Sequence, residues 1–180
     1  MPGTLVPGQM FDHELNAVKG WPSPYAVDHR IQPYSSSEGI LPGMVVHKDP
    51  ATSRAIRGLT AATTQMPLFA FQGQNDFDVN GDVGNIIGGW LNTLVAIGSY
   101  ELESTEFESP VTYDVNDPLT SPVHAVSSTL KGKLVKTVLC ADEIICGIVS
   151  EKGPLTNDFG KQVVRFWPVF IPSRACQRAM

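Results

Sequence analysis

Glycine and proline recur throughout this sequence and limit what it can fold into. There are 16 glycines and 14 prolines among 180 residues, and each interior position of this kind weakens a helix by about 1 to 3 kcal/mol. Short apolar runs lie between these interruptions, with turn residues about every 8 to 12 positions. We therefore predict a mainly β protein whose body is a small antiparallel β-barrel or sandwich of roughly 8 to 10 strands.

Composition narrows the functional class. Hydrophobic residues make up 42% and charged residues 17% of the chain, which is typical of a folded protein. The net charge of −5 gives no basic surface, so we expect no direct binding to nucleic acid. The N-terminus lacks the pattern of a signal peptide, and the longest uncharged run, residues 83–100, contains too many glycines and asparagines for a membrane span. We expect a soluble protein made in the cytoplasm, without a membrane partner.

The three cysteines, Cys140, Cys146 and Cys176, are an odd set. Cys140 and Cys146 would lie about 20 Å apart on one straight strand, beyond the reach of a disulfide. Across a hairpin they would approach each other. We interpret the cysteines as reduced, buried thiols.

The first 38 residues differ from the rest. They show no sustained strand or helix periodicity, and they combine five prolines with four large aromatics, namely Phe11, Trp21, Tyr25 and Tyr34. We predict that residues 1–38 form an extended arm that buries these aromatics against its own domain or a neighbouring subunit, and that residues 39–180 form the β body. Within the arm, the segment "FDHELNAVKG" also fits a short helix ending at Gly20.

Strand patterns begin after residue 39. The sequence predicts a strand ending near Lys48, a turn at "DPATS", a return strand at "RAIRGL" and an apolar strand at "MPLFAFQG". Residues 86–95 fit a helical face, although two adjacent glycines weaken that interpretation. In "SYELES", apolar residues alternate with Glu101 and Glu103. The four glutamates of "ELESTEFES" are interpreted as a solvated strand face, or as an acidic patch that meets basic residues of a partner.

The last predicted strand is "KQVVRFWPVFIP". Pro168 cannot donate a backbone hydrogen bond, so this strand is expected at a sheet edge or with a bulge at that position. Its aromatics Phe166 and Trp167 belong either to the core or to an interface with a partner.

Residues 76–82, "DFDVNGD", resemble the first half of a calcium loop. Asp76, Asp78, Asn80 and Asp82 place oxygen ligands at every second position. The twelfth position, where a bidentate carboxylate is needed, is Ile87. We therefore favour a surface loop with an Asn-Gly turn, and we predict neither a metal nor a cofactor.

Enzymatic motifs are weak. A hydrolase triad can be assembled from His124, Ser127 or Ser128, and Asp142, but the sequence has no G-x-S-x-G elbow. The histidines His13, His29, His47 and His124 show no zinc spacing, and no phosphate-binding loop is present. We predict that the protein is not an enzyme.

The order of several segments along the chain is similar to that in a known family of proteins. The series "PLFAFQGQNDFDV", "GSYELESTEF", "YDVNDPLTSP…GKLV", "IICGIVS" and "VVRFWPVFIP", within residues 39–172, resembles the capsid decoration, or cement, proteins of tailed bacteriophages. The resemblance implies a β-rich body on the outside of an icosahedral shell, an arm that grips neighbouring capsid subunits, and no catalytic residues.

The expected function follows from this resemblance. The chain would bind the major capsid protein on the virion exterior and stabilise contacts between capsid subunits, as a homotrimer rather than a homodimer. The expected contact residues are Phe11, Trp21, Tyr25, Tyr34, Phe166 and Trp167. Two alternatives remain open at this point: a receptor- or carbohydrate-binding virion module, such as a head fibre or tail component, and then a small β-barrel hydrolase.

Overall fold

Two antiparallel β-sheets make up the described part of the chain. The computed structural model describes residues 15–19, 27–31, 40–59, 66–73, 91–95, 100–121, 128–137 and 144–172. In chain order the strands are β1 (Leu15–Lys19), β2 (Val27–Ile31), β3 (Val45–Lys48), β4 (Ala55–Arg57), β5 (Leu68–Gly73), β6 (Leu91–Val95), β7 (Glu101–Ser104), β8 (Pro118–Thr120), β9 (Val135–Lys136), β10 (Ile145–Val149), β11 (Leu155–Thr156) and β12 (Gln162–Ile171). One 3-10 turn spans Ser128–Leu130.

The strands divide unequally between the sheets. The seven-stranded sheet has the order β1-β7-β12-β10-β8-β9, with β11 paired to β12, and the five-stranded sheet has the order β2-β6-β5-β3-β4. All pairings between these strands are antiparallel. The predicted mainly β, antiparallel fold is confirmed, and of its two forms the sandwich fits the described strands, in which no closed barrel is detected.

The core lies between the two sheets. Phe69 on β5 packs against Phe166 on β12 with 5.2 Å between ring centroids. Both rings are fully buried in one cluster that also contains Val45 and Leu102. Burial of each such side chain contributes about 1.5 to 3 kcal/mol before ordering costs. Side chains from both sheets therefore hold the sandwich together.

Strand β5 is buried on both faces at its described residues. Phe69 points into the core between the sheets, whereas its neighbours Leu68 and Ala70 belong to a second buried cluster with Val46. Successive side chains of a strand point to opposite faces. The continuous apolar run of "MPLFAFQG" reflects this burial on both sides.

The hairpin between β3 and β4 follows its turn chemistry. Val46, His47 and Lys48 pair with Arg57, Ile56 and Ala55. The Asp49 carboxylate accepts a hydrogen bond from the Thr52 backbone N–H at 3.0 Å, and Ser53 takes a positive φ of 56°. The predicted strand, turn and return strand are all confirmed.

β12 lies in the interior of its sheet. It pairs with β7 on one side and with β10 on the other. The register with β10 shifts between Ile145 and Gly147, the residue opposite Pro168. The predicted bulge near Pro168 is therefore confirmed, and the alternative of an edge strand is wrong, because β12 has a neighbouring strand on each side. The paired residues of β7 reach only as far as Phe166, so the proline faces no registered β7 partner.

Two segments of the predicted arm are strands of the body. Leu15 of β1 pairs with Ser104 of β7, and Val27 of β2 pairs with Leu94 of β6. The two strands end the two sheets, so these segments are not an extended arm detached from the body. The boundary at residue 38 stays a prediction, because residues 32–39 lie outside the described part of the chain.

Two segments that were interpreted as helices contain β-strands instead. Residues 15–19 of the "FDHELNAVKG" segment and residues 91–95 of the apolar segment form β1 and β6. Leu15 and Ala17 of β1 lie against the core. Pairing with β7 buries these two positions together, which favours a strand over a short helix that would have little packing of its own.

Candidate functional site

The outer face of the seven-stranded sheet holds buried carboxylates. Glu101 is 1% and Glu103 is 6% exposed, although both point away from the core face of β7. Neither interpretation of the glutamate-rich segment is confirmed for these two residues, because neither is solvated and both are already paired with cations of the same chain. Adjacent strands of the same chain supply the cations that neutralise them.

Lys19 neutralises Glu101 across the β1–β7 pair. The register of this pair shifts between Ala17 and Lys19, and the shift brings Lys19 opposite Glu101. The Lys19 ammonium lies 2.9 Å from Glu101 Oε2. Burial acts to raise the pKa of Glu101, but the Ser150 hydroxyl, the Lys19 ammonium and the Arg165 guanidinium hold the pKa below its ordinary value.

Arg165 neutralises Glu103 across the β7–β12 pair. Its Nε donates to Glu103 Oε2 at 3.2 Å, and its Nη1 donates to Glu151 at 2.9 Å. The hydrogen bond to Glu151, and then that to Glu103, raise the pKa of the guanidinium above its ordinary value. One guanidinium thus bonds to two carboxylates.

Asn157 fixes the turn that joins β11 to β12. Its side-chain Oδ1 accepts hydrogen bonds from the backbone N–H groups of Phe159 at 3.1 Å and Lys161 at 2.9 Å. Its Nδ2 donates to Glu103 Oε1 at 3.2 Å. Asn157 is 6% exposed, and Gly160 closes the turn with a φ of 77°. The turn is therefore tied to the outer face of β7.

A groove lies between β1 and this turn. It has a volume of about 370 Å³, near the lower limit for ligand sites. Glu103 is the most deeply buried of its lining residues. The lining residues are Ala17, Val18, Glu103, Asp158, Phe159 and Arg165. We call this feature the acidic groove.

The structure separates the two aromatics predicted as contact residues on β12. Phe166 is fully buried in the core, so it is not available to a partner while the sandwich is intact. Trp167 is 37% exposed on the opposite face. Phe11, Trp21, Tyr25 and Tyr34 lie outside the described residues.

The weaker site candidates fall mostly outside the described residues. This holds for Asp76, Asp78, Asn80 and Asp82 of the calcium-like loop, and for His124, Ser127 and Asp142 of the hydrolase interpretation. Ser128 begins the 3-10 turn. Within the described ranges, no group of three or more His, Cys, Asp or Glu side chains is arranged to hold a metal ion.

Two further groups have structural roles. Cys146 is a free, buried thiol, as predicted, and its burial raises its pKa. His47 is buried on β3, with Nδ1 2.6 Å from the carbonyl oxygen of Gly58. Both side chains bond to backbone carbonyl groups, since the Cys146 Sγ lies 3.5 Å from Leu119 O.

Sequence reasoning missed the acidic groove. The signal was the string "NDFG" at residues 157–160, where an aromatic is enclosed by three residues that favour turns. An apolar side chain at the tip of a tight turn has no core to enter. Its position therefore marks a candidate contact surface.

Comparison with known proteins gave no relative. No family model, no curated protein and no solved structure matches this chain. In the part of the chain that the structure describes, no helix is long and apolar enough to cross a membrane.

Proposed function

We propose that this chain is a non-enzymatic viral structural protein that binds the outer surface of an icosahedral capsid. In this role it stabilises contacts between major capsid subunits, as the decoration proteins of tailed bacteriophages do. The resemblance of residues 39–172 motivates the proposal. The observation that supports it best is the position of Trp167, a large aromatic exposed on an interior strand of a sheet.

Trp167 has the properties of an interface anchor. The pairing of β12 with β10, in which Trp167 lies opposite Ile148, holds its backbone in place. A large aromatic that is already positioned loses little conformational entropy on binding, and tryptophan is enriched among the residues that dominate interface energies. Ile148 beside it is only partly buried, which extends the apolar surface.

The stabilising mechanism is mass action. A protein that binds only the assembled lattice stabilises it by a free energy that grows with the logarithm of its free concentration relative to Kd. A symmetric homotrimer would engage several capsid subunits at once and gain avidity. The aromatics Phe11, Trp21, Tyr25 and Tyr34 remain proposed contacts with neighbouring subunits. Phe166 is removed from the proposed contact set, because its ring belongs to the core.

The test is co-sedimentation with empty, expanded shells assembled from the major capsid protein encoded in the same genome. We expect the wild-type protein to sediment with the shells, and Trp167→Ala to bind about tenfold more weakly, the loss typical of an interface anchor. The matched control is Val115→Ala, which alters a 52% exposed apolar residue in a turn elsewhere.

Three results test the proposed function and the role of Trp167. A native mass measurement of the free protein should give a trimer. A wild-type protein that stays in the supernatant at saturating concentration would overturn the proposal. Equal binding by the Trp167→Ala and wild-type proteins would remove Trp167 from the contact surface.

A further inference from the structure

We propose that the acidic groove is a docking site for an arginine side chain of a partner protein. The inference concerns the chemistry of the groove and does not depend on the partner being a capsid. It rests on the charge of the groove, the fixed position of Phe159 and the size of the space between them.

The groove has more negative than positive charge. Two carboxylates, those of Glu103 and Asp158, line it, together with one guanidinium, that of Arg165. That guanidinium is already bonded to Glu103 and to Glu151. Within the described residues, the Asp158 carboxylate forms neither an ion pair nor a hydrogen bond. The charge that remains to be neutralised therefore lies at the turn, and a cation is its complement.

Phe159 supplies an aromatic surface beside this charge. Its side chain lines the groove and is 51% exposed. The Asn157 side chain holds the Phe159 backbone, so only the side-chain torsions of the ring are left to be ordered on binding. Cations bind the faces of aromatic rings, and a guanidinium is planar enough to stack on a ring while it donates to a carboxylate.

The size of the groove suits one side chain. A volume of about 370 Å³ accommodates a single extended arginine, and it is near the minimum for a drug-sized ligand. Val18 of β1 provides an apolar wall for the methylene groups of such a side chain, and Ala17, whose side chain lies against the core, borders the groove beside it. The groove thus offers a surface for each part of arginine.

A second turn provides a built-in comparison. Asp114 and Val115 also form an exposed pair of a carboxylate and an apolar side chain, with Val115 52% exposed. The Asp114 carboxylate is already paired with the Lys152 ammonium at 3.1 Å. This turn therefore lacks a carboxylate available for a further cation, and it should not bind arginine.

The experiment is a titration of the ¹⁵N-labelled full-length protein with acetyl-Gly-Arg-Gly-amide, followed by backbone amide chemical shifts. We expect saturable shifts at Phe159 and Gly160. The same peptide with citrulline, which keeps the shape and loses the charge, should bind at least about fivefold more weakly. The corresponding lysine peptide should bind more weakly than the arginine peptide, since it lacks the planar donor group.

Variants assign the binding to the groove. Asp158→Asn and Phe159→Ala should each weaken binding about two- to fivefold, the effect of one exposed charge pair or one cation–π contact. Asp114→Asn is the matched control and should bind like the wild type. All three positions are exposed, so the rest of the spectrum should be unchanged.

Several outcomes would overturn the inference. They are the absence of saturable shifts near residue 159, equal binding of the citrulline peptide, and unchanged binding by Asp158→Asn. Shell binding in the co-sedimentation assay is a separate readout. Failure of the arginine titration with intact shell binding refutes only the groove, and the reverse result refutes only the proposed function.

Discussion

Glu103 and Arg165 face each other directly on β7 and β12, 62 residues apart in the chain, with 3.2 Å between Oε2 and Nε. The carboxylate is 6% exposed and also accepts a hydrogen bond from Asn157. A buried charge of this kind depends on its partner, because removing one member leaves the other desolvated without compensation. The register of β7 and β12 therefore matters for the stability of the fold, because it places Arg165 where it can pair with buried Glu103.

Arg165→Met should destabilise the protein by about 3 to 5 kcal/mol, because Glu103 stays buried without its cation. Urea unfolding at neutral pH measures the change. The control is Lys152→Met, which removes an ammonium that is 71% exposed and pairs with exposed Asp114, and should cost less than about 1 kcal/mol. Equal losses in the two variants would show that burial of Glu103 is not the cause.

The ionisation of Glu101 should make the free energy of unfolding depend on pH. Its pKa is lowered from the ordinary value of 4.5, so its ionised form is favoured by folding. Its contribution is fully present above about pH 4.5 and is lost as the pH falls through the lower folded-state value. At neutral pH, Glu101→Gln should therefore be less stable than the wild type, by about 1 to 2 kcal/mol, since Lys19 is partly solvated.

The measurement is the difference in the free energy of unfolding between the wild type and Glu101→Gln, followed as a function of pH. Asp49 and Asp117 also have lowered pKa values, so the wild-type slope alone does not isolate Glu101. We expect the gap between wild type and Glu101→Gln in the free energy of unfolding to narrow as the pH falls below about 4.5. Lys19→Met should reduce the pH dependence in the same way. A gap of equal size at about pH 3 and at about pH 7 would contradict the prediction.

Gly147→Ala tests the packing between β10 and β12. An added Cβ would lie 2.8 Å from Phe166 Cδ2 and 3.5 Å from Leu119 Cδ1. The Phe166 ring is packed against Phe69 and has little freedom to move, so we expect a loss of about 1 to 3 kcal/mol by thermal or urea unfolding. Gly153→Ala is the control, because its nearest neighbour would be 3.6 Å away. A neutral Gly147→Ala would show that the ring can shift.

Tyr113→Phe removes a buried donor. Tyr113 is fully buried, and its hydroxyl donates to the backbone oxygen of Glu108 at 2.9 Å and lies 3.4 Å from that of Leu134. Loss of the hydroxyl leaves these acceptors without that donor and should cost about 1 to 2 kcal/mol. Phe107, which meets the Tyr113 ring edge to face at 5.9 Å, should keep its packing.

We also expect Tyr113 to lower the stability of the fold at alkaline pH. Burial raises the pKa of Tyr113 far above its ordinary value of 10.0. The hydroxyl ionises more readily in the unfolded chain, so the stability it contributes is lost as the pH rises above 10. Absorbance of the ionised phenol should appear for Tyr113 only together with unfolding. In Tyr113→Phe this step should be smaller by one tyrosine, and buried Tyr100, whose pKa is also raised by burial, should keep its part of it.

Local chemistry explains what the sequence predicted correctly. The β3–β4 hairpin depends on Asp49 and Thr52, three residues apart, so its turn was visible in the sequence. The bulge near Pro168 follows from the missing backbone donor of one residue. The apolar run "MPLFAFQG" likewise identified a strand, which the structure places at Leu68–Gly73.

Long-range pairing explains what the sequence did not predict. Alternation places Glu101 and Glu103 on the outer face, but Lys19 and Arg165 determine that they are buried there. Nothing near Glu103 in the sequence indicates that Arg165 and Asn157 will bond to it. The acidic groove was missed for the same reason, since β1, β7 and the β11–β12 turn meet only after the sheet has formed.

The place of β12 within its sheet has a consequence for biosynthesis. It is the last described strand to leave the ribosome, yet β7 and β10 both need it as their shared neighbour. Until residues 162–171 emerge, each of those earlier strands has an unsatisfied backbone edge that invites misassembly with other nascent chains. Residues 162–171 must be translated before the larger sheet can close, so a premature stop ahead of residue 162 should yield aggregates rather than a smaller native product.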